Sequence, residues 1–111
     1  MQRLRLRFSR GEELKYISHL DLMRLWERVL RRAEIPIACS EGFSPHPRMS
    51  LAAPLPIGVT SEAELMDVVV KKAVSPYFFM QNTKAQLPRG VEVFEIQQVP
   101  LTAPSLQSQA Q

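Results

Sequence analysis

Residues 39–50, CSEGFSPHPRMS, gather the side chains of this chain that are best suited to chemistry. His46 titrates near neutral pH and can donate to a phosphate, move a proton or ligate a metal. Arg48 can grip an anion through two parallel N–H bonds. Gly42 admits backbone conformations closed to other residues. Pro45 and Pro47 stiffen the segment around His46, which lowers the entropy cost of presenting its side chain. Two readings stand side by side: a loop built to hold an anionic ligand, or a long turn whose His and Ser satisfy neighbouring backbone groups.

His19 and Asp21 are the other candidates. Read locally, His19 hydrogen-bonds at the start of a helix. Read functionally, His19 or Asp21 faces the loop and forms an acid–base pair with His46. Ribonuclease-like cleavage suits such a pair, because RNA supplies its own 2′-OH nucleophile and needs mainly proton transfer and phosphate stabilisation. The spacing of His19, Cys39 and His46 matches no compact zinc pattern, so no metal is expected. One cysteine is also too few for an iron–sulfur cluster. Ser40, Ser44 and Ser50 have no visible activating base, and the chain has no nucleophile elbow, P-loop or dinucleotide loop. Catalysis by this chain alone is not expected.

The elements that position these residues follow from periodicity. QRLRLRF, residues 2–8, alternates strictly: Leu4, Leu6 and Phe8 face a core, while Arg3, Arg5 and Arg7 form a row on the other side, about 7 Å apart. Ser18 and Asp21 mark a helix start, and Leu22, Met23, Trp26, Val29, Leu30 and Ala33 make its buried stripe, with Pro36 ending it by Glu34 or Ile35. Residues 36–39 read as a short strand, 49–53 as a further extended piece, and 54–58, PLPIG, as a rigid bend. EAELMDVVV reads as a strand whose imperfect alternation predicts a bulge near Met66 or Asp67. Ser75 and Pro76 open a second helix over 74–87, with Phe78, Phe79 and Leu87 inward. A turn and a last strand occupy 88–98, and neither strand face is purely apolar.

Strand, helix, strand, strand, helix, strand predicts an α+β fold: the ferredoxin-like split βαβ sandwich, a four-stranded antiparallel sheet with two helices on one face. Residues 1–98 form that domain and 99–111 a flexible tail. The arginine row then lies on the open sheet face, which is solvated, covered by a partner or homodimer mate, or used to bind RNA.

Charge sharpens this. Residues 1–50 carry ten Lys and Arg against six Asp and Glu, whereas the rest carry four against five. The basic excess therefore belongs to the segments already singled out, which permits a polyanionic partner without demanding one. No apolar run is long enough to span a bilayer, no signal-peptide core is visible, and the lone cysteine suits a reducing compartment, so a cytoplasmic location is expected.

SHLD at 18–21, ERVLRRAEIP at 27–36, SEGFSPHPRMS at 40–50 and APLPIGV at 53–59 together closely resemble the radical SAM-linked domain of unknown function (DUF2344-like). The resemblance covers roughly residues 2–98. It implies a noncatalytic accessory or substrate-binding module that works with a radical SAM enzyme, with RNA modification as the associated chemistry. An iron–sulfur cluster and S-adenosylmethionine then belong to the partner, and no cofactor to this chain. Members usually run longer, so the resemblance also implies a shortened member or a fragment.

Overall fold

The computed structural model describes residues 1–40, 42, 46–51 and 61–102, and for 61–63 the backbone alone. The readings placed on Ser44, Pro45, residues 52–58 and the chain from 103 onward lie outside the described residues. β1 (Gln2–Arg10) leads through a 3-10 turn into α1 (His19–Arg32); β2 (Met49–Leu51), β3 (Ser61–Val70), α2 (Pro76–Lys84) and β4 (Val91–Val99) follow. The strands form one antiparallel sheet in the order β2-β3-β1-β4, the ferredoxin-like arrangement, with both helices on one face.

The alternation of β1 does what its sequence predicts. Leu4, Leu6 and Phe8 are fully buried beneath the helices, and Trp26 of α1 meets Phe8 edge to face, with ring centroids 5.0 Å apart. Ser18 accepts a hydrogen bond from the Asp21 amide at 3.1 Å, which satisfies one orphan donor of the first turn of α1. The helix stops at Arg32, slightly before the expected Glu34 or Ile35. Glu34 takes a left-handed backbone with φ 61°, its amide donates to the Arg31 carbonyl, and the Ile35 amide donates to the Leu30 carbonyl. These are the two bonds of a Schellman stop, made here without glycine.

α2 begins as expected, with Ser75 Oγ accepting from the Phe78 amide and Pro76 in the first turn. It ends at Lys84 rather than Leu87. Phe79 and Thr83, one turn apart, are buried, whereas Phe78 points outward and is 45% exposed. Two adjacent helical positions lie about 100° apart, so only one of the two phenylalanines can face the sheet.

The expected bulge in β3 is absent from Met66 and Asp67. Pairing with β1 runs unbroken from Gln2↔Val70 to Phe8↔Glu64, and the shift comes only beyond it, before Arg10↔Ser61. Met66, Val68 and Val70 are the inward set, with Leu65, Asp67 and Val69 on the open face. The irregularity lies instead in β4, where the register with β1 slips between Arg7↔Glu95 and Phe8↔Val93. That slip lets Val91, Val93 and Ile96 all be buried, which is why neither face of this strand alternates cleanly in the sequence.

Residues 36–39 do not form a strand of their own. Ile37 and Cys39 make isolated bridges to Val70 and Pro47, and the Ala38 amide donates to the Val69 carbonyl at 2.8 Å. The chain thus lies along the edge of β3, leaves it after Ala38 and returns at Arg48, whose carbonyl accepts from the Val69 amide at 2.9 Å. The stretch in between is the loop singled out in the sequence.

Candidate anion-binding face

The mouth of that loop is tied shut by backbone bonds. The Arg48 amide donates to the Ala38 carbonyl and the Ser40 amide to the His46 carbonyl, both at 2.8 Å. The His46 amide donates to Ser40 Oγ at 3.0 Å. Gly42 has φ 130°, and a Cβ there would meet nothing within 4 Å, so the backbone conformation rather than space calls for glycine. These bonds fix where Pro47 and Arg48 re-enter the sheet.

A depression of about 410 Å³ opens there on the face away from the helices. Arg3, Ser40, His46, Pro47, Arg48, Ser50, Asp67 and Val69 line it. Of the arginine row, Arg3 meets the loop at this place, whereas Arg5 and Arg7 line a separate hollow. Arg48 is exposed, and its guanidinium contacts the Met1 thioether at 3.5 Å, a weak acceptor. Among the described residues no carboxylate pairs with it.

The three arginines of β1 have different environments. Arg3 and Arg5 both converge on Asp67, which stands directly across from Arg5 in the neighbouring strand. Arg3 Nε donates to Asp67 Oδ2 at 2.7 Å, and its NH2 also reaches that oxygen. Arg5 Nε donates to Oδ1 at 2.8 Å and its NH2 to Oδ2 at 3.1 Å. Only 3% of the Asp67 side chain is exposed, against 10% and 17% for the two arginines. Hydrogen bonding to Asp67 holds Arg5 still more firmly in its charged form, ahead of the opposing effect of burial. The expected uniform row is therefore a locked pair plus Arg7. Arg7 is half exposed, sits 3.7 Å from the equally exposed Glu95 and lies over the Phe94 ring at 5.8 Å from its centroid. An ion pair that open is worth at most about 1 kcal/mol.

His19 and Asp21 are not brought to this depression. Both lie in the first turn of α1, and Asp21 sits 3.7 Å from Arg24 on the helix surface. The loop lies near the far end of that helix, where the Lys71 amide meets the Pro36 carbonyl. Fourteen helical residues, about 20 Å, separate the two ends. Among the described residues no three His, Cys, Asp or Glu side chains cluster as metal ligands, and no helix is long and apolar enough to cross a membrane.

On the helix side of the sheet, Arg10 pairs with Glu64 at 3.2 Å. Burial pushes the Glu64 carboxyl up, and Arg10 offsets this only in part. Glu64 therefore favours folding below the ordinary carboxylate pKa, and that contribution fades as pH rises through its elevated folded value.

Sequence reasoning missed Asp67, which organises the site. Its signal was present: one acid inside LMDVVV, where a buried carboxylate must find a cation. Phe94 was also missed as an exposed aromatic on the open face. Residues 3–111 match the family described as "Uncharacterized protein conserved in bacteria (DUF2344)". The chain belongs to the DUF2344 family. No curated protein matches it. The match takes in β1, the loop and β4, so the whole candidate face of this DUF2344 domain lies within the family's span.

Proposed function

We propose that this DUF2344 domain is a noncatalytic binding module that holds a phosphate-bearing substrate against the open face of its sheet. RNA is the substrate class, and a radical SAM enzyme, which would carry the iron–sulfur cluster and S-adenosylmethionine, is the partner that acts on it. The convergence of Arg3, Arg48, His46 and Ser50 on one depression, with Asp67 at its base, carries the reading. Asp67 fixes the orientation of two guanidiniums, so little side-chain entropy is lost when a phosphate arrives. Arg48 supplies a cation that, among the described residues, has no carboxylate to give up. Ser40, Ser50 and His46 supply donors around it. A binding role fits better than catalysis because, among the described residues lining the depression, the one carboxylate, Asp67, is already committed to two arginines.

The test is a salt-titrated binding assay with bulk cellular RNA, comparing the chain with Arg48→Ala and with Arg48→Ala/His46→Ala. These exposed positions spare the ion-paired core that an Arg3 or Arg5 truncation would disturb. Arg48→Ala should weaken binding about tenfold at low salt and lower the slope of log K against log salt by about one. RNA binding that is absent at low salt, or indifferent to both substitutions, would overturn the reading.

A further inference from the structure

The register slip in β4 has a second effect besides burying Ile96. It leaves two consecutive side chains, Phe94 and Glu95, on the open face, both beside Arg7. Phe94 is 45% exposed and Leu65, across β1, is 36% exposed. Leu65 lines a hollow of about 240 Å³ with Arg5, Arg7, Glu95 and Gln97, while Phe94 borders a neighbouring one with Lys84, Leu87 and Glu92. Phe94 thus presents a half-exposed aromatic ring beside a guanidinium on the edge strand of the sheet. The same strand, β1, carries Arg3 at the phosphate-type depression and Arg7 at this ring, four residues and about 13 Å apart.

We infer that Phe94 is a base-stacking platform, so that the ligand of this face is single-stranded nucleic acid lying along β1 rather than a free anion. The inference rests on the proposed anion-binding role of the same face. Charge complementarity selects the occupant: among the described residues lining the depression at Arg48 and the hollow at Arg7, Arg3, Arg5, Arg7 and Arg48 outnumber Asp67 and Glu95, which makes that stretch of the open face net positive. Arg7 is held by an open pair with Glu95 and by its contact with the Phe94 ring, and it exchanges the carboxylate for a phosphate when a base settles on the ring's free face. Stacking is tolerant of sequence because every base has a π-face, and an arginine beside the ring adds its own attraction. Aromatic rings on β1 itself are not needed, because Phe94 reaches the face from the neighbouring strand.

The experiment measures binding of the whole chain to a single-stranded oligoadenylate and, separately, to inorganic polyphosphate of similar charge. Wild type, Phe94→Leu and Phe94→Trp are compared. Phe94→Leu keeps apolar bulk but loses the π-face, and it should weaken oligoadenylate binding about tenfold while leaving polyphosphate binding unchanged. Phe94→Trp should restore oligoadenylate affinity, and its exposed indole should be quenched on binding. Equal oligoadenylate affinity for wild type and Phe94→Leu, with polyphosphate bound, would overturn stacking while sparing the anion-binding role. Loss of self-association in Phe94→Leu with nucleotide affinity unchanged would instead assign the ring to a protein contact. Failure of wild type to bind either polyanion would overturn both.

Discussion

Replacing Asp67 with alanine is expected to destabilise the fold by about 3 kcal/mol or more, a large share of the stability of a domain this size. The carboxylate accepts from both Arg3 and Arg5 and is almost fully buried. Its removal leaves the Arg5 guanidinium, largely out of water, without the carboxylate it is paired with, and takes from Arg3 one of its partners. Neither has a simple escape, because β1 is a central strand whose backbone is pinned on both sides. Truncating Arg5 alone should cost less, since Arg3 still neutralises Asp67. Replacing Arg3, Arg5 and Asp67 together by apolar residues of similar volume should recover most of the stability, because the cost lies in the unpaired charge rather than in the lost pair. Urea unfolding of the three variants separates these cases. An Asp67→Ala loss below about 1 kcal/mol would mean that water reaches the site freely, and the account of a locked arginine pair would fail.

Trp26→Ala should cost about as much, 3–5 kcal/mol by the usual scale for large aromatic residues in cores. Trp26 is fully buried on the central stripe of α1 and supports Phe8 edge to face. Its loss leaves a void between the helix and β1 that neighbouring Leu22 and Leu30, themselves packed, can fill only in part. Trp26→Phe is expected to be much milder. Among the described residues the indole N–H has no hydrogen-bond partner in its buried site, so phenylalanine gives up volume but removes an unsatisfied donor. Thermal unfolding distinguishes the two. A Phe variant as damaged as the Ala variant would show that the indole N–H contributes a bond of its own.

Much of the fold is legible in the sequence because its signals are local. The alternation of QRLRLRF, the Ser18 cap, the Ser75–Pro76 start and the Trp26 stripe each depend on neighbours within a turn or two, and each takes the predicted place. What escaped depends on partners distant in the chain. Alternation says which face Arg3 and Arg5 occupy, but not that Asp67, more than sixty residues away, stands opposite them. The slip in β4 is set by what β1 needs buried, so the strand's own sequence shows only that its faces are mixed. Glu34 ends α1 in a left-handed conformation because Ile35 must pack inward after Leu30, and no glycine announces it. The loop at 39–47 was legible as special from its Pro, Gly and His content. Its proximity to Arg3 was not, because that follows from Ala38 and Arg48 sharing the edge of β3.

The most direct test of the central claim is to map the contact surface residue by residue. Isotope-labelled chain would be titrated at low salt with a short single-stranded oligoribonucleotide while its backbone amides and arginine Nε–H resonances are followed. Shifts are expected at the Nε–H groups of Arg7 and Arg48 and at the amides of Arg48, Ser50 and Phe94, fading as salt is raised. Shifts confined to the outer surfaces of α1 and α2, or no shifts at any salt concentration, would contradict that claim.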